Sequence, residues 1–134
     1  MIEVEVQAPD AVAPALVDAV TRVCDRLGVH RATMGLMVVG PEEMAGINGE
    51  HRGKPEPTDV LAFPVDGPEV LGGWPQDGPP PELGDVIICP EAAQEPLPVL
   101  AVHGLLHLLG HDHETDDGEM LELQDRLVEE LGIA

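Results

Sequence analysis

Positive charge is what this chain has least of: six Lys and Arg stand against 26 Asp and Glu among 134 residues, a formal net charge of −20. That balance excludes a protein that holds nucleic acid across a broad basic face, so an anionic substrate has to be caught at one local spot. Long apolar runs are missing too. The longest, Leu97 to Leu109, is interrupted by Pro98, Gly104 and two histidines and falls short of the roughly 20 residues that span a bilayer. A soluble chain without a membrane partner is expected. The N-terminal MIEVEVQAPD has acids where a secretory leader has basic residues ahead of an apolar core, which makes the cytoplasm the expected location. Cysteine is scarce: Cys24 sits in a helical pattern and Cys89 ends a strand pattern, and two such separated residues read as buried thiols. No internal repeat is present, and the length suits one domain over residues 1–134.

The chain opens with a strand pattern, in which Ile2, Val4 and Val6 alternate with acids. A helix follows, with Asp10 as its expected cap and Val12, Leu16, Val20, Val23 and Leu27 as its apolar stripe. TMGLMVVG reads as a second strand. Pro41 then suits the first position of a short helix ending near Gly49, which would deliver His51, Arg52 and Lys54 onto a loop. Arg52 and Lys54 make the one compact cationic spot there, although on composition alone two incidental cations on a solvated loop are the plainer reading. DVLAFPV and DVIIC are two further strand patterns, separated by DGPEVLGGWPQDGPPPEL, whose density of Pro and Gly predicts an exposed loop. Trp74 within it is expected to pin that loop to the body. The second half is helical: Pro98 opens a segment with Val99, Val102, Leu106 and Leu109 at helical spacing up to Gly110. A last helix from about Asp117 to Leu131 carries Met120, Leu123, Leu127 and Leu131 on one face, with Asp116 or Asp117 as cap and Gly132 past its end.

HGLLHLLGHDH, residues 103–113, holds four of the six histidines. Residues four apart on a helix share a face, so His103 and His107 can grip one ion together. Gly110 is expected to stop the helix in a left-handed turn, after which His113 swings back with a third imidazole; Gly104 is expected to keep the space beside the ion free of side chain. Three protein ligands leave a tetrahedral ion one open position, the arrangement of catalytic rather than structural zinc sites. A single histidine on an apolar helix is more often a hydrogen-bonded core residue. Two unliganded imidazoles within an apolar stripe, however, would be buried at about 1–3 kcal/mol for each unsatisfied group, which favours one divalent ion, zinc above others. His111 should point away from that ion, while Asp112 and Glu114 are placed to orient the imidazoles.

The same histidine spacing occurs in metzincin proteases, where a glutamate after the first histidine is the general base. Gly104 stands there instead, which leaves a metallopeptidase without its proton acceptor as the second reading. A non-catalytic metal-binding ribosome-assembly factor is the third, and a closing fourth ligand such as His111 or Asp112 would favour it.

HGLLHLLGHDH resembles the H-G-x-L-H-L-x-G-Y-D-H signature of the YbeY family of metal-dependent endoribonucleases. INGEHRGKPEPTDVLAFP and ELGDVIICPE are similar to two further segments of that family, in the same order, so the likeness runs from about residue 47 to 113. It implies an α+β fold, with a small mixed sheet flanked by helices; with the four strand patterns this gives a four-stranded sheet and a metal-binding helix-turn near the C-terminus. It also implies cleavage of single-stranded RNA in ribosomal RNA maturation, especially at the small-subunit 3′ end, a part in ribosome quality control, and the small subunit or assembly factors as partners. The family's active arginine falls on Arg52, whose fixed charge and forked donors suit a phosphate. Asn48, Asp85, His111 and Asp112 are the further candidates for contacts to the ligands or substrate. Ala62 and His111 replace the family's usual serine and tyrosine, and CPEAAQEPLPVLAVHG, with Pro96 and Pro98, is a short connection in which the helix ahead of the motif shrinks to a turn or two.

Overall fold

The computed structural model describes residues 1–134. Four strands, β1 (Glu3–Gln7), β2 (Thr33–Val38), β3 (Val60–Pro64) and β4 (Glu82–Ile88), form one sheet in the order β1-β2-β4-β3. β1 and β4 both run parallel to β2, and β3 is antiparallel to β4, so the sheet is mixed. Five helices accompany it: α1 (Ala13–Arg26), α2 (Pro41–Arg52), the single turn α3 (Gly67–Val70), α4 (Leu97–Leu108) and α5 (Glu119–Leu131). The fold is α+β, as the resemblance implies.

Alternation along the strands sends side chains to opposite faces. Met34 and Leu36 of β2 and Leu83, Val86 and Ile88 of β4 join the main core with α1, α4 and α5, whereas Leu61 of β3 and Ile87 of β4 meet Met44 of α2 on the other side. Leu16, Val20 and Val23 of the predicted α1 stripe are fully buried, with Val12 and Leu27 at its partly exposed ends. No helix is long and apolar enough to cross a membrane.

Several boundaries differ from the sequence reading for local reasons. Asp10 does not cap α1: the Pro9 carbonyl receives the Val12 and Ala13 amides at 3.0 Å each, and Pro14 in the first turn has no amide to satisfy. α2 does not stop near Gly49. It runs on to Arg52, because Gly53 provides the left-handed cap at φ 69°, while Gly49 packs against Pro55. His51 and Arg52 therefore ride on the last turn of a helix, not on a loop. Gly104 has a different task from the one expected of it, since a Cβ there would meet Val86 Cγ1 at 2.5 Å and Cγ2 at 2.9 Å. Its bare backbone lets α4 settle on β4. α5 starts at Glu119, two residues later than predicted, although Asp116 does serve its first turn by accepting the Gly118 and Met120 amides at 2.8 and 2.9 Å.

The Pro- and Gly-rich segment between β3 and β4 contains α3 and is otherwise irregular. Trp74 donates from its indole to the Pro79 carbonyl within the same loop. Ahead of α4 the connection makes only one 3₁₀ turn, Pro90–Ala92.

Candidate metal centre

α4 is held by burial of Val99, Leu100, Val102, Leu105, Leu106 and Leu108. That anchoring leaves His103 and His107 half-buried, one turn apart, on the side facing away from the core. Beyond Leu109 the chain closes the helix with paired hydrogen bonds: the Gly110 amide donates to the His107 carbonyl and the His111 amide to that of Leu106, both at 3.0 Å. This pattern needs its turn residue in the left-handed region, and Gly110 has φ 103°. The chain then folds back. Asp112 accepts the Glu114 amide at its carboxylate and the Thr115 and Asp116 amides at its carbonyl, which fixes the loop that carries His113.

One nitrogen from each of His103, His107 and His113 lies within 4.8 Å of the other two. Nitrogens sharing a tetrahedral ion at 2.0–2.1 Å stand about 3.4 Å apart, so small ring rotations bring the three into a ligand set. In two of the three rings the other nitrogen is already engaged. His103 Nδ1 meets Gln124 Oε1 at 2.7 Å, and His107 Nδ1 meets the His111 carbonyl at 2.9 Å. An acceptor at Nδ1 places the proton there and leaves Nε2 as the free lone pair, the state a metal requires. Burial, and then the neighbouring His103 and His107–His113 contacts, hold His107 below the usual histidine range, which also favours the neutral ring. The residues present fit a divalent ion.

Asp112 and Glu114 do not hydrogen-bond the imidazoles, and the orienting acceptors are Gln124 and the backbone of His111. Gln124 lies 21 residues from its partner, which put it outside any local motif. One signal did exist, a polar residue among the apolar positions Met120, Leu123 and Leu127.

The three histidines line a cavity of about 720 Å³ that Arg52, His51, Asp59 and Phe63 also line. Arg52 forms no ion pair, so its guanidinium is available to a ligand, while Asp59, Asp112 and Glu114 keep the rest of the wall anionic. His111 and Asp112 border the cavity without joining the three-nitrogen group. Asn48 lies elsewhere: it is buried, and its amide donates to the Glu56 carbonyl at 2.9 Å, tying down the segment after α2. Asp85 is exposed on the opposite face of the sheet from α4. Cys24 is buried in the core, where desolvation pushes its thiol up to about 12; Cys89 is also buried and free.

The chain is similar to known proteins along most of its length. A family model described as "Endoribonuclease YbeY" matches residues 3–132. Proteins named endoribonuclease YbeY are similar along most of their length: that of Micrococcus luteus is 40% identical over 131 residues, covering 87% of this chain and 82% of the relative. The Acidothermus cellulolyticus protein is 38% identical, covering 84% and 79%, and the Mycolicibacterium smegmatis protein 37%, covering 90% and 76%. A solution structure from Thermotoga maritima superposes with a TM-score of 0.60 at 26% identity, covering 98% of this chain and 89% of the other. With its family pattern matched almost end to end and its three histidines gathered on one cleft, the chain belongs to the YbeY endoribonuclease family.

Proposed function

We propose that this chain is a single-domain, metal-dependent endoribonuclease that cuts single-stranded RNA during ribosomal RNA maturation, at the small-subunit 3′ end, and in ribosome quality control. The observation that carries this reading is that a three-histidine cluster and one unpaired arginine line the same cleft. His103, His107 and His113 hold one divalent ion, zinc by donor type and geometry. When bound, that ion supplies Lewis acidity, polarising a phosphoryl oxygen and easing loss of a proton from the attacking hydroxyl or water.

Arg52 grips the phosphate with forked donors and balances the charge that builds on it. Gln124 and the His111 carbonyl hold two ligand rings in the required tautomer. The anionic remainder of the wall repels phosphate everywhere else, so the strand is guided to the one place where cations meet. An unpaired strand can bring its backbone to that recess more readily than a duplex. With a net charge of −20, affinity for naked RNA is weak, and divalent ions, the ribosomal small subunit or assembly factors supply the remaining attraction in the cytoplasm.

The peptidase reading loses ground because Gly104, where a glutamate base would stand, faces Val86 of the sheet. The test is a cleavage assay on single-stranded RNA beside metal analysis of the same samples. His107→Ala loses both metal and cleavage. Arg52→Ala keeps its metal and loses about 10²–10³ in rate, the effect of removing ~2.7–4 kcal/mol of transition-state contact. An Arg52→Ala variant as fast as wild type would refute the assignment of the arginine.

A further inference from the structure

A second cavity, of about 490 Å³, lies beyond the wall formed by His51 and Phe63, which both cavities share. Its volume is in the range of small-ligand sites. Gly35 and Met37 of β2 and Ile87 of β4 line it on the sheet face, beside Ile47 of α2. The Phe63 ring packs against the His51 imidazole at 4.8 Å between centroids with planes tilted by 59°. The chain has one Phe, one Trp and no Tyr, and Trp74 lines a different cavity, so this pair is the aromatic surface beside the metal cleft. The Asp85 carboxylate lies over Gly35, in space that a Cβ at Gly35 would take. It has no ion-pair partner, and Glu5 and Gln7 of β1 also border the cavity.

We propose that this second cavity is a nucleobase subsite selective for guanine: the base next to the scissile phosphate stacks on the His51–Phe63 wall and sets its edge against Asp85. The inference rests on the cleft being an RNA site. A phosphate cannot settle between Glu5 and Asp85, but a neutral base can, and base–aromatic stacking tolerates an acidic surface that ionic contacts do not. His51 and Arg52 are successive residues, so one helical turn offers a stacking ring and a phosphate grip. The edge then decides identity. An ionised carboxylate only accepts hydrogen bonds. Guanine presents two neighbouring donors, N1–H and the exocyclic amine, whereas adenine and cytosine set one amine beside a ring acceptor and uracil sets one N–H between two carbonyls. Asp85 thus pairs fully with guanine and meets a repelling lone pair or a single donor on the others.

The test uses the full chain and has two arms. In the first, GMP and AMP are titrated into the protein and followed by NMR; GMP shifts the amides of Gly35, Met37 and Ile87 and binds about tenfold more tightly than AMP. Asp85→Asn, at an exposed position, removes that difference. In the second, replacing the guanosine beside a cut site by inosine, which lacks the exocyclic amine, slows wild-type cleavage about tenfold and leaves the Asp85→Asn rate unchanged. Guanine-selective binding in a protein that cuts no RNA would sink the nuclease reading while the subsite stands. Equal affinity for GMP and AMP in a protein that does cut RNA would overturn the subsite, as would a cavity that ignores nucleotides and binds an arginine-rich peptide instead.

Discussion

The two halves of the three-histidine cluster are built in opposite ways. His103 and His107 sit on α4, whose other faces are buried in the main core of 24 residues, while His113 sits on a half-exposed loop held by a glycine turn and a few hydrogen bonds. The first pair is placed by hydrophobic packing and inherits the rigidity of the whole fold. His113 is placed by a backbone turn and by the hydrogen bonds that Asp112 accepts. A site assembled this way can be damaged from either side, and the two kinds of damage have different signatures.

The largest effect is expected on the packed side. Gly104→Val drives a branched side chain into Val86, already 2.5 Å from where the first added carbon would lie, so overpacking costs about 1–3 kcal/mol or prevents folding. Chemical denaturation measures it. Unchanged stability would mean that α4 does not depend on this close approach.

On the turn side the cost to the fold is smaller and local. Gly110→Val puts a β-branched residue at φ 103° with its Cβ about 3.3 Å from Pro68 Cα; unwinding the last turn relieves most of the backbone strain and moves His113. Zinc affinity falls about 10–100-fold while far-UV circular dichroism stays native. Equal losses of fold and affinity would erase the distinction between the halves.

The smallest effect sharpens it. Asp116 accepts the Gly118 and Met120 amides, and those two bonds, in that order, hold its carboxyl below its usual 3.8. A carboxylate depressed on folding contributes stability above its unfolded value and loses that contribution as pH falls through the folded value. Asp116→Asn is therefore slightly less stable than wild type at neutral pH. The two melting temperatures converge as the pH drops below 3.8, and a gap that persists there would show that Asp116 acts in some other way.

Legibility in the sequence follows the same division. The α4 stripe, the i,i+4 histidines and the Gly110 turn are local patterns, and each stands where its spacing places it. Contacts between distant segments were out of reach. Gly104 is bare because of Val86 on β4, and Gln124 reaches His103 across the gap between α4 and α5; neither partner is near in sequence. Gly49 misled because a glycine reads as a helix end until Gly53 is seen to do that work and Pro55 is seen to need the space. Asp85 shares a matched segment with the core strand residues, but strand alternation turns it to the face that α4 does not cover.

The proposed ion is held by two imidazoles from a packed helix and one from a turn. X-ray absorption on the zinc-loaded protein measures this directly, because it reads the number and kind of ligands without reference to activity. Three imidazole nitrogens at about 2.0–2.1 Å with one further light-atom ligand and no sulfur are expected, and two imidazoles with weakened retention in His113→Ala. Four protein ligands, a sulfur ligand, or a His113→Ala protein with the wild-type spectrum and full zinc content would contradict it.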